Sequence, residues 1–165
     1  MKKICLTVTI AVFLLFCLNG LQAQTTQTQL TPLELFKNFT GTWQANVGKD
    51  TVEVWDCQQY GKAYVINVSQ MIKDQKTPLY INNVGFDSKD GKLKGYALWS
   101  NGDYTTWIGL FKTEKIFLVD IVDSFKPEVV WMRFEMNYIS PTERTWISYN
   151  AEGVKISELK FIKVK

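Results

Sequence analysis

Turn signals recur about every ten residues from Gly48 to Gly153, and this rhythm constrains the fold more than any other feature of the chain. They are Gly48-Lys49-Asp50, Gln59-Tyr60-Gly61, Lys76-Thr77-Pro78, Asp90-Gly91, Asn101-Gly102, Glu114-Lys115, Lys126-Pro127, Ser140-Pro141 and Glu152-Gly153. β-Branched and aromatic residues dominate between them. The nine breaks predict ten strands, over 42–47, 51–57, 62–72, 79–87, 92–100, 103–113, 116–123, 128–139, 144–150 and 154–164. Breaks this close leave no room for crossover helices, which excludes parallel βαβ units. The expectation is an all-β fold, an up-and-down antiparallel barrel of about 8–10 strands, with a sandwich as the other solution.

Ahead of the strands, Thr31-Pro32-Leu33-Glu34 reads as a helix start. Thr31 can cap, Pro32 suits the first helical position and Glu34 completes a capping box. One short N-terminal helix follows, ended by Gly41. Further upstream, Met1-Lys2-Lys3 precedes an apolar run from Ile4 to Leu18, and small Ala23 follows. That layout is a signal peptide over residues 1–23, which implies a secreted or periplasmic protein without a membrane span after cleavage. Residues 24–30 read as a polar, disordered leader, and residues 31–165 as one domain.

Removing 23 of 165 residues leaves 142, with 17 basic and 16 acidic side chains. That balance gives no reason to expect nucleic acid as a partner. Cys57 is then the sole cysteine, so no internal disulfide can form. The chain has no histidine, which removes Ser-His-Asp and Cys-His nucleophiles, His-ligated zinc and His-ligated haem together. No cofactor or metal is expected, and no catalytic residue is assigned.

The Asn101-Gly102 pair sets the first register. Read as a two-residue hairpin, it places Trp99 opposite Tyr104 and puts Leu93, Gly95, Ala97, Trp99, Tyr104, Thr106, Ile108 and Leu110 on one face. Lys92 and Lys94 mark the opposite face as the outer one. The inner face continues through Glu114-Lys115 into Phe117, Val119 and Ile121. In the strand over 128–139, Val130, Met132, Phe134, Met136 and Tyr138 alternate with residues that include Arg133 and Glu135, which are costly to bury. Trp43, Ala45 and Val47 point inward by the same reasoning. The interior mixes small residues with aromatics and adaptable methionines. A filled core and a ligand cavity both fit a barrel of this size, and the small residues favour the cavity. Trp107, Phe111 and Trp131 fall on the outer face, where a cluster would suit a homodimer or a docking partner.

A capped helical turn, then Gly41-Thr42-Trp43 at the head of the first strand, then regularly spaced antiparallel strands, resembles the lipocalin-like or calycin superfamily in a bacterial secreted form. The resemblance implies that Trp43 closes the barrel floor under an arginine from near the last strands, for which Arg144 is the candidate. The chain departs from fatty-acid-binding proteins, which carry a helix-turn-helix between their first two strands. It departs from animal lipocalins in lacking a disulfide, and from haem-binding barrels in lacking histidine.

The function expected is binding or carriage of a small hydrophobic or amphipathic molecule. Its lumen would be lined by Trp43, Trp99, Tyr104, Thr106, Ile108, Leu110, Phe117, Val119, Met132, Phe134, Met136 and Tyr138. Two alternatives remain open. One is a filled barrel that dimerises through Trp107, Phe111 and Trp131. The other is an isomerase or lyase using carboxylates among Asp56, Asp103, Asp120, Asp123 and Glu135, which requires them to converge on the barrel mouth.

Overall fold

A computed structural model describes residues 30–165. The expected signal peptide and nearly all of the leader lie outside the described residues. Helix α1 (Pro32–Phe36) runs into a 3-10 turn (Lys37–Phe39). Ten strands follow: β1 (Gly41–Gly48), β2 (Thr51–Tyr60), β3 (Ala63–Ile72), β4 (Gln75–Asp87), β5 (Lys92–Trp99), β6 (Tyr104–Thr113), β7 (Ile116–Val122), β8 (Val130–Ser140), β9 (Glu143–Asn150) and β10 (Lys155–Lys163). Each strand pairs antiparallel with its sequence neighbour, and β1 pairs with β10, so the sheet closes into an up-and-down barrel. Closure leaves no unpaired sheet edge.

The capping box at the start of α1 is complete. Glu34 N donates to Thr31 Oγ1, and Thr31 N donates to a Glu34 carboxylate oxygen at 2.7 Å. The helix is too short to be stable alone. It is held by Phe36 and Phe39, both almost fully buried in the closed end of the barrel, and by Tyr64 Oη donating to Leu33 O at 3.0 Å.

The turn at Asn101-Gly102 differs from expectation by one residue, with a large consequence. Trp99 N donates to Asp103 O and Gly102 N donates to Trp99 O, so three residues, Ser100 to Gly102, form the loop. Gly102 has a φ of 91°, whereas Asn101 is not left-handed. Asn101 instead uses its side chain, accepting from Asp103 N at 3.0 Å. The two-residue turn needs positive φ at both positions, and the Asn101 side chain satisfies a different loop. Leu98 therefore pairs with Tyr104, and Gly95 with Trp107. A one-residue slip reverses every side chain of a strand. Trp107 and Phe111 consequently face the interior, while Tyr104, Thr106, Ile108 and Leu110 lie on the outer wall.

A compensating irregularity comes next. A bulge between Phe111 and Thr113 returns the ladder to phase, pairing Gly109 with Val119 and Phe111 with Phe117. Phe117, Val119 and Ile121 face inward as a result. A second bulge pairs Ile121 with Met132 but Val122 with Val130. It leaves Val130 outside and turns Trp131, expected outside, toward the barrel mouth. The turn expected at Lys76-Thr77-Pro78 also moves. Lys73 and Asp74 carry the hairpin at φ values of 46° and 67°, and Pro78 sits inside β4 beside a bulge between Val68 and Ser69.

Candidate ligand cavity

The interior has two levels, a packed floor and an open space above it. The floor is built from α1, the start of β1 and the closed ends of the neighbouring strands. Trp43 is fully buried on β1, and its indole N–H donates to Phe39 O at 2.9 Å. Arg144, from β9, is also fully buried. Its guanidinium carbon lies 3.8 Å from the Trp43 ring centroid and 4.4 Å from that of Phe39. Trp55 and Phe161 stand further out at 5.5 and 5.7 Å. No guanidinium nitrogen of Arg144 has a hydrogen-bond partner among the described residues, so the aromatic faces hold the cation. Burial pushes its pKa down to about 10, against the opposing influence of Tyr138 and Cys57. The side chain therefore remains charged at neutral pH. Cys57 is buried in the same layer, and desolvation pushes its thiol up to about 12.

Two glycines make the aromatic packing possible. A Cβ on Gly95 would collide with the Asn83 carbonyl and the Trp107 indole, and one on Gly109 would lie 2.5 Å from Phe117 Cζ. These two glycines thus leave room for Trp107 and Phe117 rather than for a ligand.

Above this layer is a cavity of about 550 Å³, within the range of roughly 300–1,000 Å³ usual for small-molecule sites. Phe36, Phe39 and Phe117 form its base. One wall is a run of rings in which Trp55 meets Trp146 edge-on at 5.0 Å and Trp146 stacks on Phe134 at 4.9 Å. Also in the lining, Tyr80 lies against Trp99 at 4.4 Å between ring centroids. Ile66, Val68, Val119, Ile121 and Leu159 complete the apolar lining, and Trp131 stands at the mouth, 54% exposed.

Polar groups in the cavity are few. Asn82 Oδ1 accepts from Trp107 Nε1 at 2.8 Å, and Thr105 Oγ1 accepts from Trp99 Nε1 at 3.2 Å. Ser157 pairs with Ser148 at 2.6 Å. Among the described residues, Glu53, on β2, is the one charged side chain in the lining, and it accepts from Trp55 Nε1. Burial raises its pKa, partly offset by that hydrogen bond. Burial, then the nearby Glu53, pushes the Tyr80 phenol well above its usual range.

Of the twelve residues expected to line the lumen, Trp99, Phe117, Val119, Met132 and Phe134 do so. Trp43 and Met136 are fully buried in the packed interior, and Tyr138 packs against the core with its ring edge-on to Phe39. Tyr104, Thr106, Ile108 and Leu110 are on the outer wall, the last two beside the Asp120–Arg133 ion pair. Trp107, Phe111 and Trp131 form no outer cluster. Trp107 and Trp131 line the cavity, and Phe111 packs on Phe117 at 4.7 Å.

The five carboxylates considered for catalysis do not converge. Asp120 pairs with Arg133, and Asp123 accepts from the N–H groups of Phe125 and Lys126. Asp103 bonds Asn101, Glu135 bonds Asn137, and Asp56 bonds Gln58. Among the described residues no group of three or more Cys, Asp or Glu side chains is placed to hold a metal.

Sequence reasoning missed Glu53, Trp55, Tyr80, Asn82 and Trp146. For Glu53 a signal existed, because Glu53, Trp55 and Cys57 alternate on one strand face and the last two are apolar. A half-buried glutamate in line with two buried apolar residues departs from ordinary patterning. No family model and no curated protein matches this chain in sequence.

Proposed function

We propose that this protein is a lipocalin-like member of the calycin superfamily that binds or carries a small apolar or amphipathic molecule in its barrel lumen. The observation that carries the reading is the aromatic-walled cavity of about 550 Å³ above a sealed floor. A molecule burying roughly 300 Å² of apolar surface there gains about 7.5 kcal/mol, enough to offset the lower range of association costs. The closed antiparallel barrel and the Trp43–Arg144 stack support the superfamily reading. Export, read from residues 1–23, belongs to the same proposal, and a mature N-terminus following Ala23 in protein from the source organism would support it.

Tryptophan emission tests the binding itself, since Trp55, Trp99, Trp107, Trp131 and Trp146 all line the cavity. Delipidated protein titrated with apolar amphiphiles should show saturable quenching. Ala97→Leu, which places a larger side chain at a lining position, should weaken that quenching about tenfold or more while the fold is retained. Linear, non-saturable quenching that Ala97→Leu leaves unchanged would sink the reading.

A further inference from the structure

We propose that the lumen prefers ligands whose polar head is a cation, a protonated amine, with Glu53 as its anchor. This rests on the lumen-binding reading and goes further, because it names the head-group chemistry.

Three observations converge. First, among the described residues the lining carries a single charged side chain, and it is acidic; no described lysine or arginine lines the cavity. Second, the cations nearest the base of the lumen are occupied elsewhere. Arg144 is sealed beneath Phe39 and stacked on Trp43, and Lys163 lies 5.4 Å over the Trp43 ring at the closed end of β10. Neither lines the space a ligand would fill, so an anionic head would enter a lumen without a partner. It would also meet the Glu53 carboxylate, and two like charges in a poorly solvated space repel strongly.

Third, the surroundings of Glu53 suit a cation. Trp55 Nε1 fixes the carboxyl by donating to one oxygen. The rings of Trp55, Trp146 and Phe134 form a continuous wall beside it, and aromatic faces attract ammonium groups. Tyr80 shares the lining with Glu53, whose charge adds to the burial that raises the phenol pKa. A carboxylate bordered by aromatic faces in an apolar chamber is the arrangement that receives an amine head while its alkyl or ring body fills the remaining space. Burial costs the carboxylate its hydration, and a bound ammonium restores a favourable partner.

The test compares three probes of equal chain length, n-decylammonium, n-decanol and n-decanoate, by tryptophan quenching of the wild-type protein and Glu53→Gln. The wild type should bind the amine about tenfold or more tightly than the carboxylate, with the alcohol between them. Glu53→Gln preserves shape and an acceptor for Trp55. It should therefore lose the amine preference and keep its affinity for the alcohol, which also reports that the variant is folded. Equal binding of amine and carboxylate by the wild type, or an unchanged ratio in Glu53→Gln, overturns the cation preference while leaving lumen binding intact. Failure of all three probes to bind overturns both.

Discussion

Individual buried residues set the pH behaviour of this barrel. Burial holds the Glu53 pKa above its ordinary value, so the unfolded chain ionises there first as pH rises. Stability from this group is fully present below about 4.5, the ordinary value, and is lost as pH climbs through the folded value. The ligand-free wild type should therefore lose thermal stability relative to Glu53→Gln as pH rises from 4 to 7, measured by paired melting curves. A constant difference across that range would contradict the assignment. Cys57 should be inert for a different reason. With its thiol pushed to about 12 and its side chain buried, it should resist an aromatic disulfide reagent in the native protein and react stoichiometrically in denaturant. Arg144 tests the floor. Arg144→Ala removes the cation and leaves a void, and should cost about 3 kcal/mol in denaturant unfolding. Arg144→Met fills the same space without an unpaired charge and should cost clearly less.

At the scale of strands and turns, existence was readable, and facing failed only in β6 and at the start of β8. Ten strands, the capped helix and most boundaries follow from turn chemistry and patterning. The face of β6 does not, because it depends on whether the loop after Trp99 holds two residues or three. Asn101 and Gly102 suit both loops locally, and the choice is made by the Asn101 side chain bonding Asp103. One residue there exchanged Trp107 for Thr106 and Ile108. The bulge at Lys112 then reversed the error, which explains why β7 was readable although the strand before it was not. Trp131 was lost to a bulge in the same way. Glycine substitutions rank these elements. Gly102→Ala meets only backbone strain in open space and should cost about 1 kcal/mol. Gly95→Ala meets the Asn83 carbonyl as well as Trp107, and a backbone obstacle cannot swing aside, so about 2–3 kcal/mol is expected. Urea midpoints at unchanged slope would check the order, and equal costs would contradict the packing described for Trp107.

For the molecule as a whole, the seam between β1 and β10 dominates. It pairs Trp43 with Lys163 and adds bonds from Thr42 N to Lys165 O and from Val164 N to Thr42 O. Closing it joins residues from opposite ends of the domain, and such non-local pairing slows folding to the millisecond-to-second range. Stopped-flow tryptophan emission should therefore show refolding on that scale, and microsecond refolding would contradict it. The closed barrel expected from the regular strand spacing is the fold found, although that spacing also admitted a sandwich.

The even number of strands has a practical consequence. The hairpins after β1, β3, β5, β7 and β9 all lie at the mouth, whereas α1 and the end of β10 meet at the floor. Polypeptide joined after Lys165 therefore leaves from the side facing away from the opening. A protein coupled to a bead or sensor surface through its C-terminal end would present its mouth to the solution. Only attachment through one of the five mouth hairpins would turn the opening against the support.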